Sequence, residues 1–362
     1  MGMPPRLDPA ALAAPIVLAP MAGGPSTPAL AAAVSDAGGL GTLAAGYRTP
    51  EDLAEDLART RERTRRPIGV NLFAPPAPPV APERFAAHAA AVAEEASELG
   101  TAAGDPRHDD DGWTAKLDLL ERDPVAVVSV TFGLPSAEVV ARLHATGSAV
   151  WVTVTSVAEA GAAAAVGADA LIAQGAEAGG HQGGFVDEPG REPLGILPLL
   201  QLVRAAVDLP LIAAGGIVTG AGIAAVLAAD AVAAQIGTAF LDCPEAGTWV
   251  GHRALLGGDR PTAFTRAFSG RRARGLETRF AREHEGTATV AYPQIHHLTS
   301  PLRAAARAAG DPERVNLWAG QGHPLVAPRP AAALVTALTA EADAALQAAI
   351  GRRAATAVSD PR

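Results

Sequence analysis

The feature of this 362-residue sequence that most restricts its fold is a regular alternation. Eight short runs rich in Val, Ile, Leu and Ala stand at residues 16–19, 41–44, 68–72, 126–131, 149–155, 170–174, 211–214 and 231–236, with helical stretches between them. Neighbouring parallel strands require a crossover of a dozen or more residues, normally a helix, and end up buried on both faces. Such strands read as continuous apolar runs, as these do. Eight units close a barrel, so the pattern predicts an α/β fold of the TIM type, a (β/α)8 barrel. Composition points to close packing: 49% of residues are hydrophobic but only 4% are aromatic, so Ala and Val must fill the interior.

Helix signals stand where the alternation needs them. Thr27 is placed to cap a helix with Pro28 in its first turn, and Leu30, Ala33, Val34 and Ala37 then share one face before Gly38-Gly39. Thr49, followed by Pro50, Glu51 and Asp52, repeats the start signal, and Ser156 with Glu159 has capping-box spacing. Two regions lie outside the pattern. Residues 74–124, opening on a Pro-rich stretch, are too long for one crossover and predict an insertion between the third and fourth strands. After about residue 245 the strand runs stop. The expected organisation is a barrel over residues 1–245, a helical subdomain over 246–350 and a disordered tail over 351–362.

Several function classes are excluded. A net charge of -9, from 29 basic and 38 acidic residues, gives no footprint for nucleic acid. The single Cys243 cannot form an intramolecular disulfide and suits a reducing compartment as a small buried hydrophobe. No basic stretch and apolar core mark a signal peptide near Met1, and Arg6 stands where a myristoylation signal needs Ser or Thr. Residues 209–229 lack charge over a membrane-spanning length, but Pro210, Gly215, Gly216, Gly220 and Gly222 read as strand, turn and helix. The expectation is a cytoplasmic chain with no membrane or nucleic-acid partner. No Gly-x-Gly-x-x-Gly unit follows an early strand and no Gly-Lys-Ser/Thr loop occurs, which argues against dinucleotide dehydrogenases and nucleoside triphosphatases.

A barrel of this kind builds its site where strands end. Met21 follows the first run, Asn71 lies near the end of the third, and Gln174 ends the sixth. The seventh runs into Gly215-Gly216 and the eighth ends in Gln235-Ile236-Gly237-Thr238, a candidate phosphate cradle that Thr219 or a helix start would complete. His181 sits in the loop after the sixth run, flanked by Gly179, Gly180, Gly183 and Gly184. Imidazole changes charge near neutral pH, and the glycines let a flat ligand come close, so His181 is the candidate for proton chemistry. His296-His297 lack a carboxylate at ligand spacing, so no metal is expected there. His108-Asp109-Asp110-Asp111 reads as a solvated acidic loop. Arg271, Arg272 and Arg274 are open to two readings, an anion site or a solvent-facing basic loop.

Taken together, these residues resemble the nitronate monooxygenases. The likeness is carried by Ala19-Pro20-Met21-Ala22-Gly23-Gly24, Ala37-Gly38-Gly39-Leu40-Gly41, Asn71-Leu72-Phe73, Gln174-Gly175-Ala176-Glu177-Ala178-Gly179-Gly180-His181 and Ala213-Ala214-Gly215-Gly216-Ile217. Tyr292-Pro293, Leu298-Thr299, Pro301-Leu302-Arg303 and Trp318-Ala319-Gly320-Gln321-Gly322 resemble the later motifs of the class I branch. The resemblance implies non-covalent FMN on the barrel. Asn71, Gln174, Gly179 and Gly180 match flavin-contacting positions, Met21 lines the same rim, and Gly215, Gly216, Gln235, Ile236, Gly237 and Thr238 match the phosphate-holding ones. His181 matches the family's catalytic histidine, as base or anion stabiliser, and Tyr292 and His296 are candidates for the substrate pocket. The implied reaction is oxidation of an alkyl nitronate, or of a neutral nitroalkane whose α-proton His181 would remove, by dioxygen to a carbonyl compound and nitrite, by a monomer or homodimer. Where the family often has an aromatic residue and a lysine after Tyr292, this chain has His296 and Ser300.

Two other readings share the pattern. Flavin-dependent NAD(P)H reductases of the enoyl or quinone type resemble the same Gly-Gly-His region, and a flavin-binding protein without turnover would need the same cradle. An IMP dehydrogenase is disfavoured, because no Cys lies in the loop after the sixth run.

Overall fold

The computed structural model describes residues 6–358. In chain order the strands are β1 (Ile16–Leu18), β2 (Gly41–Ala44), β3 (Ile68–Phe73), β4 (Val127–Thr131), β5 (Ala149–Val154), β6 (Ala170–Gln174), β7 (Gly180–His181), β8 (Leu211–Ala214), β9 (Ala233–Ile236), β10 (Thr262–Thr265) and β11 (Ala273–Leu276). The helices are α1 (Pro28–Asp36), α2 (Pro50–Arg63), α3 (Ala86–Glu98), α4 (Trp113–Arg122), α5 (Ala137–Ala145), α6 (Val157–Ala165), α7 (Ile196–Arg204), α8 (Gly220–Ala228), α9 (Val250–Arg253), α10 (Arg279–His284), α11 (Gln294–Ala309) and α12 (Ala331–Val358).

Eight parallel strands form the barrel in the order β1-β9-β8-β6-β5-β4-β3-β2. The ring is completed between β1 and β2 by the Val17–Leu40 bridge, where Leu18 N and Leu40 N donate to Leu40 O and Ile16 O at 2.9 Å each. These strands are the eight apolar runs of the sequence. The start signals also form as expected. Thr27 Oγ1 accepts from Leu30 N, and Thr49 and Asp52 make a reciprocal capping box.

Register divides the barrel interior into layers. Successive side chains on a strand point to opposite faces, so alternate residues share the inside. Val127, Trp151, Ala170, Ile172, Ile212 and Ala233 form a buried inner core, with Trp151 the one large aromatic among them. One pleat further along the same strands come Thr131, Thr153, Gln174 and Gln235, and with Asn71 they line the cavity above. The barrel is therefore apolar at depth and polar at the carboxyl ends of its strands.

The remaining segments depart from the expected organisation. The stretch 246–350 is not purely helical, because β10 and β11 pair antiparallel and β11 pairs with β7, placing Ala273 opposite His181. These strands are four residues each and mixed in polarity, which hides them from a search for apolar runs. The insertion is not separate from this unit. Val92 and Ala96 of α3 share a buried cluster with Phe268, Phe280, Leu298 and Leu302, so the α3 part of the insertion and the middle of the carboxyl-terminal region build one lid, while α4, with Leu117 and Leu120 in the main core, is an outer-layer helix of the barrel.

α12 belongs elsewhere. Leu334, Val335, Leu338 and Ala342 are part of the main barrel core, and the helix lies so close to α8 that a Cβ on Gly220 would come within 2.2 Å of Glu341 Cβ. It supplies the outer-layer helix that follows β9 after the lid excursion. The helix continues over 351–358, so that part of the expected tail is ordered as helix, and 359–362 lie outside the described residues. Its stretch 331–353 is long and apolar enough to cross a membrane by length and composition alone. The uncharged 209–229 stretch instead folds as β8, a glycine turn and α8.

Two glycine substitutions test this packing in opposite directions. A Cβ on Gly41 would lie 1.8 Å from Ala31 O, so Gly41→Ala forces α1 off β2 and is expected to destabilise by about 1–3 kcal/mol or more. Gly161 is exposed inside α6 with nothing within 4 Å of its Cβ position, so Gly161→Ala is expected to stabilise by about 0.5–1 kcal/mol. Thermal unfolding of both variants checks the pair, and equal shifts would contradict the account.

Candidate active site

The cavity above the barrel's polar layer has a volume of about 510 Å³. Its floor is a hydrogen-bonded set. Asn71 Nδ2 donates to Ser129 Oγ and Thr131 Oγ1 at 3.0 Å each, and Thr131 bonds Thr153 at 3.1 Å. Gln174 has a further task. Its Nε2 donates to His181 O at 3.0 Å and its Oε1 accepts from Gly183 N at 2.6 Å. One side chain at the end of β6 thus holds both sides of the His181 loop.

The glycines fit a flat group lying close to backbone. Gly215 and Gly216 have φ of +121° and +69°, and a Cβ on Gly216 would sit 2.9 Å from Glu177 Cβ. A Cβ on Gly179 would come within 2.5 Å of the Ala319 and Gly320 backbone. Gly237 and Thr238 complete the opposite wall, where Thr238 Oγ1 accepts from Gly320 N at 3.0 Å. Thr219 does not join this cradle. Its hydroxyl caps α8 by accepting from Gly222 N at 3.2 Å, and the Glu341 carboxylate accepts from Gly220 N at 3.2 Å. That helix start is already occupied. Ile236 is likewise absent from the lining, because the strand's alternation turns its side chain outward into the main core. Met21, Asn71, Gln174, Gly179, Gly180, Gly215, Gly216, Gln235, Gly237 and Thr238 are brought together as expected.

His181 faces this cavity from β7. Its Nε2 lies 2.8 Å from Ser269 Oγ, which itself donates to Arg271 O at 3.1 Å. With that hydroxyl proton given to Arg271 O, His181 carries its own proton on Nε2 and keeps a lone pair on Nδ1. Phe132, Tyr292 and Trp318 surround the ring, with centroids 5.4–5.9 Å away. Burial, reinforced by the Arg271 and Arg303 guanidiniums, pushes the imidazole down to about 3. The ring is neutral at physiological pH.

A second cavity, of about 590 Å³, adjoins the first through Tyr47, Phe73, His296 and Ser300. Tyr47 and His296 stack at 3.9 Å with an interplanar angle of 6°. Tyr47 has φ +65°, and its N donates to Asp111 Oδ1 at 2.9 Å, while Lys116 Nζ bridges Asp111 at 2.7 Å and Ala45 O at 2.9 Å. The insertion therefore fixes a rim residue of the barrel. Tyr292 lines only the second cavity and donates from its hydroxyl to Tyr47 Oη at 3.3 Å. His296 lines both cavities.

Two sequence readings change here. The acidic loop is not merely solvated, since Asp111 holds Tyr47 and Asp109 pairs with His297 Nε2 at 2.9 Å. Arg271 and Arg274 are neither solvent-facing nor part of the cavity lining. They are buried, with Arg271 donating to Gln182 O and Gly184 O and Arg274 to Ala176 O. Tyr47, Ser269, Arg303, Asn316 and Trp318 are functional candidates that strand-end reasoning missed. Tyr47 lies three residues beyond β2 and was open to the same rim rule; the others are on the lid, which that rule does not reach. Cys243 is buried and its thiol is pushed up to about 12, which suits packing and not nucleophilic chemistry. Glu95, Glu283 and His284 cluster, but Glu95 is taken by Arg279 and Arg314.

The nitronate monooxygenase profile matches residues 5–341. A nitronate monooxygenase from Paraburkholderia phytofirmans is 39% identical over 90% of this chain and 92% of its own length. Another from Pseudomonas aeruginosa is 41% identical over 90% and 95%. The chain belongs to the nitronate monooxygenase family. It is therefore an oxidoreductase of the monooxygenase class and a flavoprotein. Among solved structures, nitroalkane oxidase from Streptomyces ansochromogenes superposes with a TM-score of 0.91 at 51% identity, covering 93% of this chain and 98% of that one. FabK from Thermotoga maritima superposes at 0.75 with 28% identity, covering 94% and 96%.

The cradle gives a direct test. Any side chain at Gly216 must adopt a left-handed conformation at about 1–2 kcal/mol and also displace Glu177. Gly216→Ala is expected to weaken flavin binding about tenfold or more, read by fluorescence titration of the apoprotein. Unchanged affinity would remove these glycines from the cofactor site.

Proposed function

We propose that this chain is an FMN-dependent enzyme that oxidises alkyl nitronates with dioxygen, two nitronates and one O2 giving two carbonyl compounds and two nitrites, so that each carbon gains one oxygen atom as its C–N bond breaks. The observation that carries the reading is the placement of His181, held by Ser269 and Gln174 at the wall of a glycine-lined cavity, where burial pushes its imidazole down. Gly215, Gly216, Gly237 and Thr238 would hold the FMN phosphate, and Asn71, Gln174, Gly179 and Gly180 would meet its ring system. When bound, the flavin supplies electron acceptance from substrate and transfer to oxygen.

The residues of the chain position and select. A histidine at about 3 is too weak a base to remove the proton of a neutral nitroalkane efficiently, so the preformed nitronate is the favoured substrate. His181 acts on it as a neutral hydrogen-bonding group that orients the anion and can pass a proton at Nδ1. Phe132, Tyr292 and Trp318 keep water from the ring and from the reacting carbon. The reading places the enzyme in the cytoplasm as a monomer or homodimer, with the nitronate and dioxygen as its partners and neither nucleic acid nor membrane, in keeping with the net charge of -9.

The Gly-Gly-His region also resembles that of flavin-dependent NAD(P)H reductases of the enoyl or quinone type, which gives a second reading. Anaerobic stopped-flow of the holoenzyme separates them. Rapid bleaching of the flavin by ethylnitronate and none by NADH is expected; bleaching by NADH alone would establish the reductase, and by neither, a binding protein without turnover. His181→Asn is expected to retain FMN and to lower kcat/KM for nitronate by about a hundredfold.

The pH profile carries a further expectation. Burial lowers the His181 pKa from 6.5 to about 3, so its proton is lost well below neutrality and its charge is constant above about pH 5.5. Because kcat/KM reports groups of the free enzyme, its value for preformed nitronate should stay level between about pH 5.5 and 8. An inflection near 6.5 that disappears in His181→Asn would show an ordinary, exposed histidine.

A further inference from the structure

The cavity is electrically lopsided in a way the nitronate reading does not by itself require. The protein carries a net charge of -9, yet among the described residues no Asp, Glu or Lys lines the main cavity. The permanently charged groups in its wall are Arg303 and Arg307, one turn apart on α11. Arg303 is 6% exposed. Its partners are all neutral: Nε donates to Thr299 Oγ1 at 3.0 Å, Nη1 to Asn316 Oδ1 at 3.3 Å, and Nη2 to His296 O and Ser300 Oγ at 2.8 Å each. Arg307 Nη2 donates to the same Asn316 Oδ1 at 3.1 Å. Beyond burial, the groups that act electrostatically on Arg303 are the Arg307 guanidinium and the Tyr47 hydroxyl, which burial keeps protonated, with no carboxylate among them.

Buried guanidinium groups are normally paired, because a lone charge in a low-dielectric site costs several kcal/mol after relaxation. Neutral acceptors fix the plane of Arg303 without cancelling its charge, and one N–H of Nη1 is left without a partner. Such a group is complete only when an anion enters. The aromatic and aliphatic walls around it remove competing water, which strengthens the attraction.

We propose that Arg303 is the anion-holding residue of this cavity: it draws in the nitronate by its negative charge, sets the preference for nitronate over the neutral nitroalkane, and is assisted by Arg307. The inference rests on the nitronate reading and adds to it the residue that selects the substrate's charge. His181 and Arg303 then divide the work. The imidazole is kept neutral in part by the guanidinium, and the guanidinium supplies the charge that the imidazole lacks.

The test uses the FMN-loaded protein with nitrate as an inert planar monoanion. Nitrate should perturb the visible flavin spectrum and inhibit ethylnitronate oxidation competitively. In Arg303→Gln its affinity should fall about tenfold or more, the KM for ethylnitronate should rise by more than kcat falls, and the ratio of kcat/KM for ethylnitronate to that for nitroethane should drop at least about tenfold. Arg303→Lys should recover part of each change. Because Arg303 also ties down α11, a second variant leaves it in place. Asn316→Asp sets a carboxylate beside Arg303 Nη1, with the shape of the wall unchanged, and should produce the same losses. Unchanged nitrate affinity and an unchanged substrate ratio in Asn316→Asp would overturn the proposal. If the wild type oxidises no nitronate but nitrate binding still depends on Asn316→Asp, the anion site stands and the substrate reading falls.

Discussion

A parallel strand in a closed barrel gives its backbone hydrogen bonds to neighbours on both sides, and that requirement decides where every alternate side chain goes. With β1 to β6, β8 and β9 locked by parallel register, the inward residues stack in layers that the sequence cannot shift without turning a whole strand inside out. The lower layer is apolar and filled by Val127, Trp151, Ile172 and Ile212. The next holds Thr131, Thr153, Gln174 and Gln235. The polar floor of the cavity is thus a consequence of the fold's hydrogen bonding, and Ile236, one residue out of phase, is removed from the site by the same rule.

The lid converts that floor into a chemical environment. Its strand β11 pairs with β7 and so fixes the backbone of His181, while Gln174 fixes the same loop from the barrel side. Two structural units, far apart in sequence, therefore hold one imidazole. The lid also brings the arginines. Arg271 is engaged by carbonyls of the His181 loop and lies 4.2 Å from the Phe132 ring centroid, and burial first, then Arg271 and Arg303, disfavours the cationic form of His181. A cavity with a buried positive charge and a neutral imidazole favours an anion over a neutral acid of the same shape.

The barrel was readable in the sequence because its strands are buried on both faces and leave unbroken apolar runs. The rim residues were readable because a glycine, histidine, asparagine or glutamine at the end of such a run is out of place. Neither signal exists for the lid. Ala263 to Phe264 and Ala273 to Gly275 lie in short mixed strands, and the helix carrying Arg303 is amphipathic in the ordinary way. What makes Arg303 unusual is the absence of a carboxylate near it in space, and a sequence does not print absences in three dimensions. Arg271 and Arg274 were misread for the converse reason. Their partners are backbone carbonyls, which every residue supplies and no pattern of side chains reveals.

The position of α12 takes the end of the expected helical subdomain back into the barrel. The chain leaves the barrel after β9, builds the lid, and returns with Leu334, Val335 and Leu338 packed into the main core beside α8. Glu341 of that returning helix accepts from Gly220 N at the start of α8. On the proposed reading, an anion drawn to that end of α8 would meet an existing carboxylate, so an FMN phosphate would be held instead by the backbone of Gly215-Gly216 and by the Gly237-Thr238 wall. The closing helix would thereby direct a cofactor phosphate away from α8 and leave the guanidiniums of α11 for a second anion, the proposed nitronate.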